Sequence, residues 1–250
     1  MQRLAPVAGA SRGAGSGGGG LAVLVDPART GLDAAAELAR RAEGEGVAAL
    51  LLGDSFGGRG DTAAVARVLK RHAPTLPLLQ FPAMASQLVS GVDAVLLLSL
   101  VSGRNAQYLI EEHVRAVPFL AAHPTIEVVS TAYCLIDGGC VTSVESVSQT
   151  RPLPADKPEI VAAHVRAAMH IGMRATYLDA GSGAARAVSP ALVRAAREAT
   201  TGPLFVGGGV RGADAVRAAR DAGADVVVVG TLLERVGPRA VGALAQAARS

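Results

Sequence analysis

Three stretches in the last third of the chain share one design, an apolar strand emptying into glycine. Ala175 to Leu178 runs into Asp179-Ala180-Gly181-Ser182-Gly183, Leu204 to Val206 into Gly207-Gly208-Gly209, and Val226 to Val229 into Gly230-Thr231. Short apolar runs of this kind belong in a parallel sheet buried on both faces. Glycine at the strand end removes the Cβ that would keep an anion from backbone N–H groups, and a following helix turns its positive dipole end to the same point. In a barrel of alternating strands and helices, such a phosphate cradle is usually built after the seventh and eighth strands, so the motif sets how the chain is counted.

The rest of the chain supplies the count. Leu21 to Val25 is an apolar run closed by Asp26-Pro27, and Leu32 to Glu43 follows with helical periodicity. Val47 to Leu52 ends in Gly53-Asp54-Ser55-Phe56-Gly57-Gly58, and a helix runs from Asp61, a good N-cap, to His72. Leu76 to Phe81 is the third strand and Asp93 to Leu98 the fourth, and the interval between them is too short for a regular helix with its loops. Asn105 to Leu120 reads as a helix, Thr125 to Ile136 as the fifth strand and Pro158 to Ile171 as a helix. The three glycine-ended strands complete eight, with helices from Pro190, Ala213 and Pro238. The predicted class is α/β, a (β/α)8 TIM barrel whose third helix is short or missing. Strand order alone does not separate it from an open doubly wound sheet; the two late glycine cradles favour closure. Met1 to Gly20, with its Gly/Ser tract, is expected to be a flexible arm, and residues 21–250 a single domain of ordinary barrel size.

Composition narrows the function. Half the residues are apolar but only 3% aromatic, so the core must be alanine, valine and leucine. The net charge of +3 is carried by scattered arginines rather than a stripe, which argues against nucleic acid and fits small anionic ligands. Cys134 and Cys140 lack metal or redox spacing and read as ordinary reduced residues, from which a cytoplasmic protein is expected. No apolar run approaches the roughly 18 residues of a membrane span, leaving at most peripheral membrane contact. No two of His72, His113, His123, His164 and His170 form a ligand-spaced pair; all read as surface or packing residues. Gly181-Ser182-Gly183 lacks the surroundings of a hydrolase nucleophile elbow.

Leu24-Val25-Asp26-Pro27, Gly53-Asp54-Ser55, Glu127 with Tyr133, Tyr177 to Gly183, Val206 to Val210 and Val229-Gly230-Thr231 together resemble the geranylgeranylglyceryl phosphate synthase family. The likeness runs from Leu21 to about Leu233 and takes in Ser99 to Asn105 and the linker Gln149 to Lys157. It implies a modified TIM barrel lacking a regular third helix. The implied reaction joins a polyprenyl diphosphate, geranylgeranyl expected, to the free primary hydroxyl of sn-glycerol 1-phosphate, releasing diphosphate. By the same resemblance the phosphate anchors are Gly208, Gly209, Gly230, Thr231 and the loop of Tyr177, Leu178, Asp179, Ala180, Gly181, Ser182 and Gly183. Asp179, where the family usually has glutamate, is implied to orient or deprotonate the glycerol hydroxyl. Asp26 and Ser55 match the positions that hold Mg²⁺ against the leaving diphosphate, and a homo-oligomer is the usual assembly.

The residues themselves leave blander readings open. Asp179 is also a natural turn cap, Asp26-Pro27 a strand-ending turn, and Ser55 a loop hydroxyl. On an extended fifth strand Glu127, Val129, Thr131 and Tyr133 share one face, so Glu127 and Tyr133 are both candidates to line the interior as catalytic groups. The chain departs from the family pattern at Ala28 and Arg29, where Asp-Lys is usual, and at Asp54, where glycine is usual. Two rival functions remain: another phosphate-binding barrel enzyme, an isomerase or lyase, and a non-catalytic phosphate-binding barrel derived from the synthase.

Overall fold

The computed structural model describes residues 20–53 and 60–250. Most of the expected N-terminal arm, and Asp54 and Ser55 of the second strand's loop, lie outside the described residues. Eight parallel strands close in sequence order: β1 (Gly20–Val25), β2 (Ala49–Leu52), β3 (Leu78–Gln80), β4 (Ala94–Leu100), β5 (Glu127–Leu135), β6 (Ala175–Asp179), β7 (Leu204–Gly207) and β8 (Val226–Val229). The seam is β1 against β8, with Gly20 paired to Val226 and Val23 to Val229. Gly20 is thus part of the barrel, its N–H donating to the Asp225 carbonyl at 2.9 Å, so the strand begins one residue before Leu21. Closure rather than an open sheet follows from β8, whose four valines are all buried and pair with β1, while Val226 and Val227 also pair with β7.

Helices cover the outside: α1 (Leu32–Gly44), α2 (Thr62–His72), α3 (Glu112–Ala122), α4 (Ser143–Ser148), α5 (Pro158–His170), α6 (Pro190–Ala199), α7 (Ala213–Asp221), α8 (Thr231–Val236) and α9 (Val241–Arg249). Each long helix buries one stripe; α6 turns Leu192, Val193, Ala196 and Ala199 inward at helical spacing. Asp61 caps α2 as expected, accepting from the Ala64 N–H at 2.8 Å. Between β3 and β4 lies only a single 3-10 turn, Ala85–Gln87, in place of a third helix. The helix expected from Asn105 starts as one turn of π-helix, Gln107–Glu111, before settling into α3. The short α4 had no sequence prediction; Thr142 caps it through its hydroxyl at 3.3 Å from the Glu145 nitrogen.

Strand alternation divides the core in two. Ala22, Leu51, Leu79, Leu96, Val129, Tyr177, Phe205 and Val228 fill the barrel interior, whereas Val23, Leu50, Leu78, Leu178 and Val227 face the helices. The N-terminal end is tied by charge. Asp225 Oδ2 accepts from the Leu204 N–H at 2.8 Å and from Arg197 at 2.7 Å, and Asp93 Oδ2 accepts from the Leu78 N–H at 2.7 Å and Lys70 at 3.0 Å. With that end closed by ion pairs, the loops free to carry a site are those at the C-terminal ends of the strands.

Candidate active site

Towards the C-terminal end the barrel interior turns aromatic. Of three tyrosines and four phenylalanines in the chain, two of each meet there: Phe81 lies 4.8 Å from Tyr177 and 5.8 Å from Tyr133, Tyr133 lies 5.7 Å from Tyr177, and Phe205 stacks on Tyr177 at 6.0 Å. Above this layer a cavity of about 490 Å³ opens at the strand ends. The ends of β3 to β5 and the segments after them contribute a mostly apolar lining, with Phe81, Met84, Leu98, Tyr108 and Val144 beside Glu112 and Ser148. The ends of β6 to β8 and the segments after them carry Asp179, Ser182, Gly208, Gly209, Gly230 and Thr231.

Asp179 is the last residue of β6, held in register with Leu135 and Gly207. Its Oδ2 accepts a 2.6 Å hydrogen bond from the Tyr133 hydroxyl and its Oδ1 a 2.7 Å bond from the Gly181 N–H. The turn-cap reading is satisfied through Oδ1, while Oδ2 meets Tyr133 and the side chain lines the cavity. Burial pushes the Asp179 carboxyl up, the two hydrogen bonds oppose that, and the net direction is above the ordinary carboxylate value. Burial first, and the Asp179 charge second, hold the Tyr133 and Tyr177 hydroxyls well above theirs, so both remain protonated and Tyr133 acts as donor.

The glycines differ in why they are glycine. Gly208 and Gly209 adopt φ of +77° and +66°, and a Cβ on Gly208 would stand 2.5 Å from Asp179 Oδ1 and from the Gly181 nitrogen. That pair is needed to pack the β7 turn under the β6 loop. Gly230 has φ −124° and room for a Cβ, whose nearest neighbours would be atoms of Leu24 at 3.4 Å. Nothing in its own backbone or packing demands glycine, which leaves access to the cavity as the reason. The Ser182 and Thr231 hydroxyls, 3.2 Å apart, tie the β6 loop to the start of α8.

Not every expected residue reaches this cavity. Leu178 and Ala180 alternate with Tyr177 and Asp179 and so point into the helix-side core, where they are buried. Gly181 acts through its N–H on Asp179 and packs against Thr142 rather than lining the cavity. Glu127 is corrected more sharply. It shares the interior face with Tyr133 but opens β5, six residues upstream, or about 20 Å along a strand. There it pairs with Arg174 at 2.9 Å at the N-terminal end of the barrel. A shared face says nothing about depth, and depth is what excludes it.

Asp26 lines the cavity beyond β1. Its Oδ1 accepts from the Ala28 N–H at 2.8 Å, and Arg29 stands 3.6 Å from its Oδ2 while also reaching Glu234 at 3.3 Å. The turn reading is thus satisfied, and Asp26 is the described half of the expected metal pair. Among the described residues no group of three or more His, Cys, Asp or Glu side chains could hold a metal ion. One carboxylate does fit Mg²⁺, which keeps most of its waters and takes further oxygens from substrate phosphates.

Several cavity residues had no sequence prediction. Phe81 and Tyr108 are two of very few aromatics; that scarcity, and for Phe81 its place directly after a strand, was the available signal. Glu112 has its Oε2 on the Ala85 N–H at 2.8 Å and its Oε1 on Gln107 and Arg115; burial alone would raise its carboxyl, but these partners bring it below the ordinary value. It pins the loop after β3 to the π turn. Arg211 and Arg235 also line the wall.

The chain is 40% identical over 220 residues to the geranylgeranylglyceryl phosphate synthase of Spirosoma linguale, covering 88% of each chain. It is 40% identical over 216 residues to the synthase of that name from Cenarchaeum symbiosum, covering 86% of this chain and 85% of that one. Its fold matches the crystal structure of (S)-3-O-geranylgeranylglyceryl phosphate synthase from Thermoplasma acidophilum in complex with sn-glycerol-1-phosphate. The TM-score is 0.85 at 28% identity, over 92% of this chain and 94% of that one. The PcrB family model matches residues 21–248, the whole barrel with its glycine turns, and the chain belongs to the PcrB family.

Proposed function

We propose that this chain is a prenyltransferase that joins the primary hydroxyl of sn-glycerol 1-phosphate to a polyprenyl diphosphate, geranylgeranyl expected, in ether-lipid synthesis. The observation that carries the reading is the two-sided cavity, whose glycine-rimmed wall suits a phosphorylated polyol and whose apolar wall suits a prenyl tail. The named relatives support the same pairing.

In the reaction the allylic C–O bond breaks with its electron pair leaving on diphosphate, the glycerol oxygen bonds to the freed carbon, and the hydroxyl proton is lost. Asp179 is placed to orient that hydroxyl and take its proton: one lone pair on each oxygen is occupied by Tyr133 and Gly181, and others remain. A carboxyl held above its ordinary value accepts that proton more readily. Backbone N–H groups at Gly208, Gly209 and Gly230, with the Thr231 hydroxyl, anchor the phosphate. Phe81, Tyr133 and Tyr177 line the cavity, and aromatic rings beside the allyl group would favour the positive charge that develops on it. Asp26, with Ser55, would hold Mg²⁺, which when bound supplies positive charge to the leaving diphosphate. Arg29 stands near by in its own ion pairs.

The protein is further read as cytoplasmic and homo-oligomeric. Among the described residues no helix is long and apolar enough to cross a membrane. Ile110, Val114 and Val117, exposed at helical spacing and flanked by Glu111 and Arg115, support a self-complementary subunit contact.

The test is transfer of radiolabelled sn-glycerol 1-phosphate to farnesyl through heptaprenyl diphosphates, with and without Mg²⁺, for the wild type and Asp26→Asn. An acid-stable ether product that needs Mg²⁺ and disappears in a folded Asp26→Asn variant is expected. No ether product with any chain length refutes the function, and metal-independent turnover refutes the Mg²⁺ reading alone.

A further inference from the structure

Three arginines stand at the rim where the β7, β8 and β1 loops meet, and they are not equivalent. Arg29 is occupied by Asp26 and Glu234. Arg211 and Arg235 line the cavity, are exposed, and among the described residues neither guanidinium has a hydrogen-bond or ion-pair partner. A guanidinium presents five donors in a planar fork that matches phosphate oxygens, so two unpartnered ones lining the same cavity suit recognition of an anion there.

Their positions say which anion they serve. Arg211 follows the Gly208–Gly209 turn by two residues and belongs to the loop after β7, separated by β8 from the Asp26 loop of β1. Arg235 is four residues after Thr231 on α8, so the two share a helix face. Thr231 in turn reaches Ser182 of the β6 loop. Both cations therefore flank the glycine rim from which backbone donors point. Glu234, the acid beside Arg235, is turned to Arg29 on the β1 side and does not neutralise either one.

We infer that Arg211 and Arg235 form a two-guanidinium clamp on the phosphate monoester of the glycerol substrate and set the selectivity of this enzyme for phosphorylated acceptors. The inference rests on the proposed prenyl transfer for the identity of the acceptor, but the anion clamp itself is independent of turnover. Backbone N–H groups alone bind any small anion; the two forks add charge and geometry, so that a dianionic phosphate is held while unphosphorylated glycerol is not. The prenyl diphosphate, placed on the Asp26 side, gains little from them.

The experiment has two readouts. Calorimetric titration of inorganic phosphate into wild type, Arg211→Ala, Arg235→Ala and the double variant should show the dissociation constant rising about tenfold or more for each arginine lost, as expected for a charge-assisted bond. Lysine at either position should restore only part, because it keeps the charge without the fork. Steady-state kinetics should show KM for sn-glycerol 1-phosphate rising in parallel, while KM for the prenyl diphosphate stays within about threefold. Melting temperatures should match the wild type, since both side chains are exposed and unpartnered. Unchanged phosphate affinity, or a rise in the diphosphate KM in place of the glycerol phosphate KM, overturns the clamp. A wild type that binds phosphate through these arginines but makes no ether product would sink the proposed function and leave the clamp standing.

Discussion

Replacing Tyr133 by phenylalanine removes one oxygen and nothing else. The ring stays among Phe81 and Tyr177, 5.8 and 5.7 Å away, so no cavity of note is opened and packing is conserved. What disappears is the 2.6 Å bond to Asp179 Oδ2, a bond between two buried groups of which one is a carboxylate. A hydrogen bond to a charged group contributes about 1.5–3 kcal/mol, and with the partner left buried the larger half of that range applies. For a chain of this length the melting temperature should fall by roughly 5–12 °C. The loss must depend on pH, with a sign that follows from Asp179. Its native carboxyl lies above the ordinary value, so between the unfolded and native values the folded protein binds the extra proton, and stability falls as pH rises through that window. The Tyr133 hydroxyl is one of the groups holding that value down; without it the native value climbs further and the window widens upward. The variant's deficit is then largest above the window, where Asp179 is ionised in the folded protein, and smallest below it, where Asp179 is protonated. Urea unfolding followed by circular dichroism at several pH values measures this directly. Turnover should fall about ten- to a hundredfold at neutral pH, with the acid limb of the rate profile moved to higher pH, because a misplaced and more protonated carboxylate is a poorer base. A deficit that does not change across the pH range over which the protein stays folded, or an unmoved acid limb, would refute the account of Tyr133 as the donor that tunes Asp179.

Asp179→Ala should cost about 10² or more in kcat, in line with loss of a positioned base, while Asp179→Glu keeps turnover; normal kcat in the alanine variant would reduce Asp179 to a turn cap. The two kinds of glycine should separate: Gly230→Ala should melt like the wild type yet raise KM for sn-glycerol 1-phosphate, whereas Gly208→Ala, with a Cβ forced to 2.5 Å from Asp179 Oδ1 at φ +77°, should lose about 2 kcal/mol or more of stability together with activity. Equal melting temperatures in the two variants would contradict that division. Glu127→Gln should leave kcat within about twofold and lower stability by about 1 kcal/mol or more through the lost Arg174 pair, as read by urea unfolding; a large fall in kcat with unchanged stability would return Glu127 to the catalytic machinery.

The repeating units of the barrel were legible in the sequence, because period and punctuation are local properties. A short valine run such as Val226 to Val229 ended by glycine favours a buried parallel strand, and the interval after Leu78–Gln80 leaves little room for a regular helix with its loops. The glycine-rimmed end of the site was legible for the same reason, and so was the candidacy of Asp179, through its place at the end of an apolar run. Strand alternation also assigned faces correctly: Glu127 and Tyr133 do share the interior. What alternation cannot supply is depth along the barrel axis, since that depends on the register of every neighbouring strand; only the closed sheet puts Tyr133 level with Tyr177 and Glu127 near the opposite end. Nor does local sequence tell which residue of a glycine loop turns towards the cavity, and Leu178 and Ala180 proved to face the helices. The partnerships that give the site its chemistry join residues far apart in the chain, Tyr133 to Asp179, Arg29 to Glu234, Phe81 to both tyrosines. They exist because eight strands close on one another and bring the ends of distant segments to a common rim, a consequence of tertiary geometry that no single segment encodes.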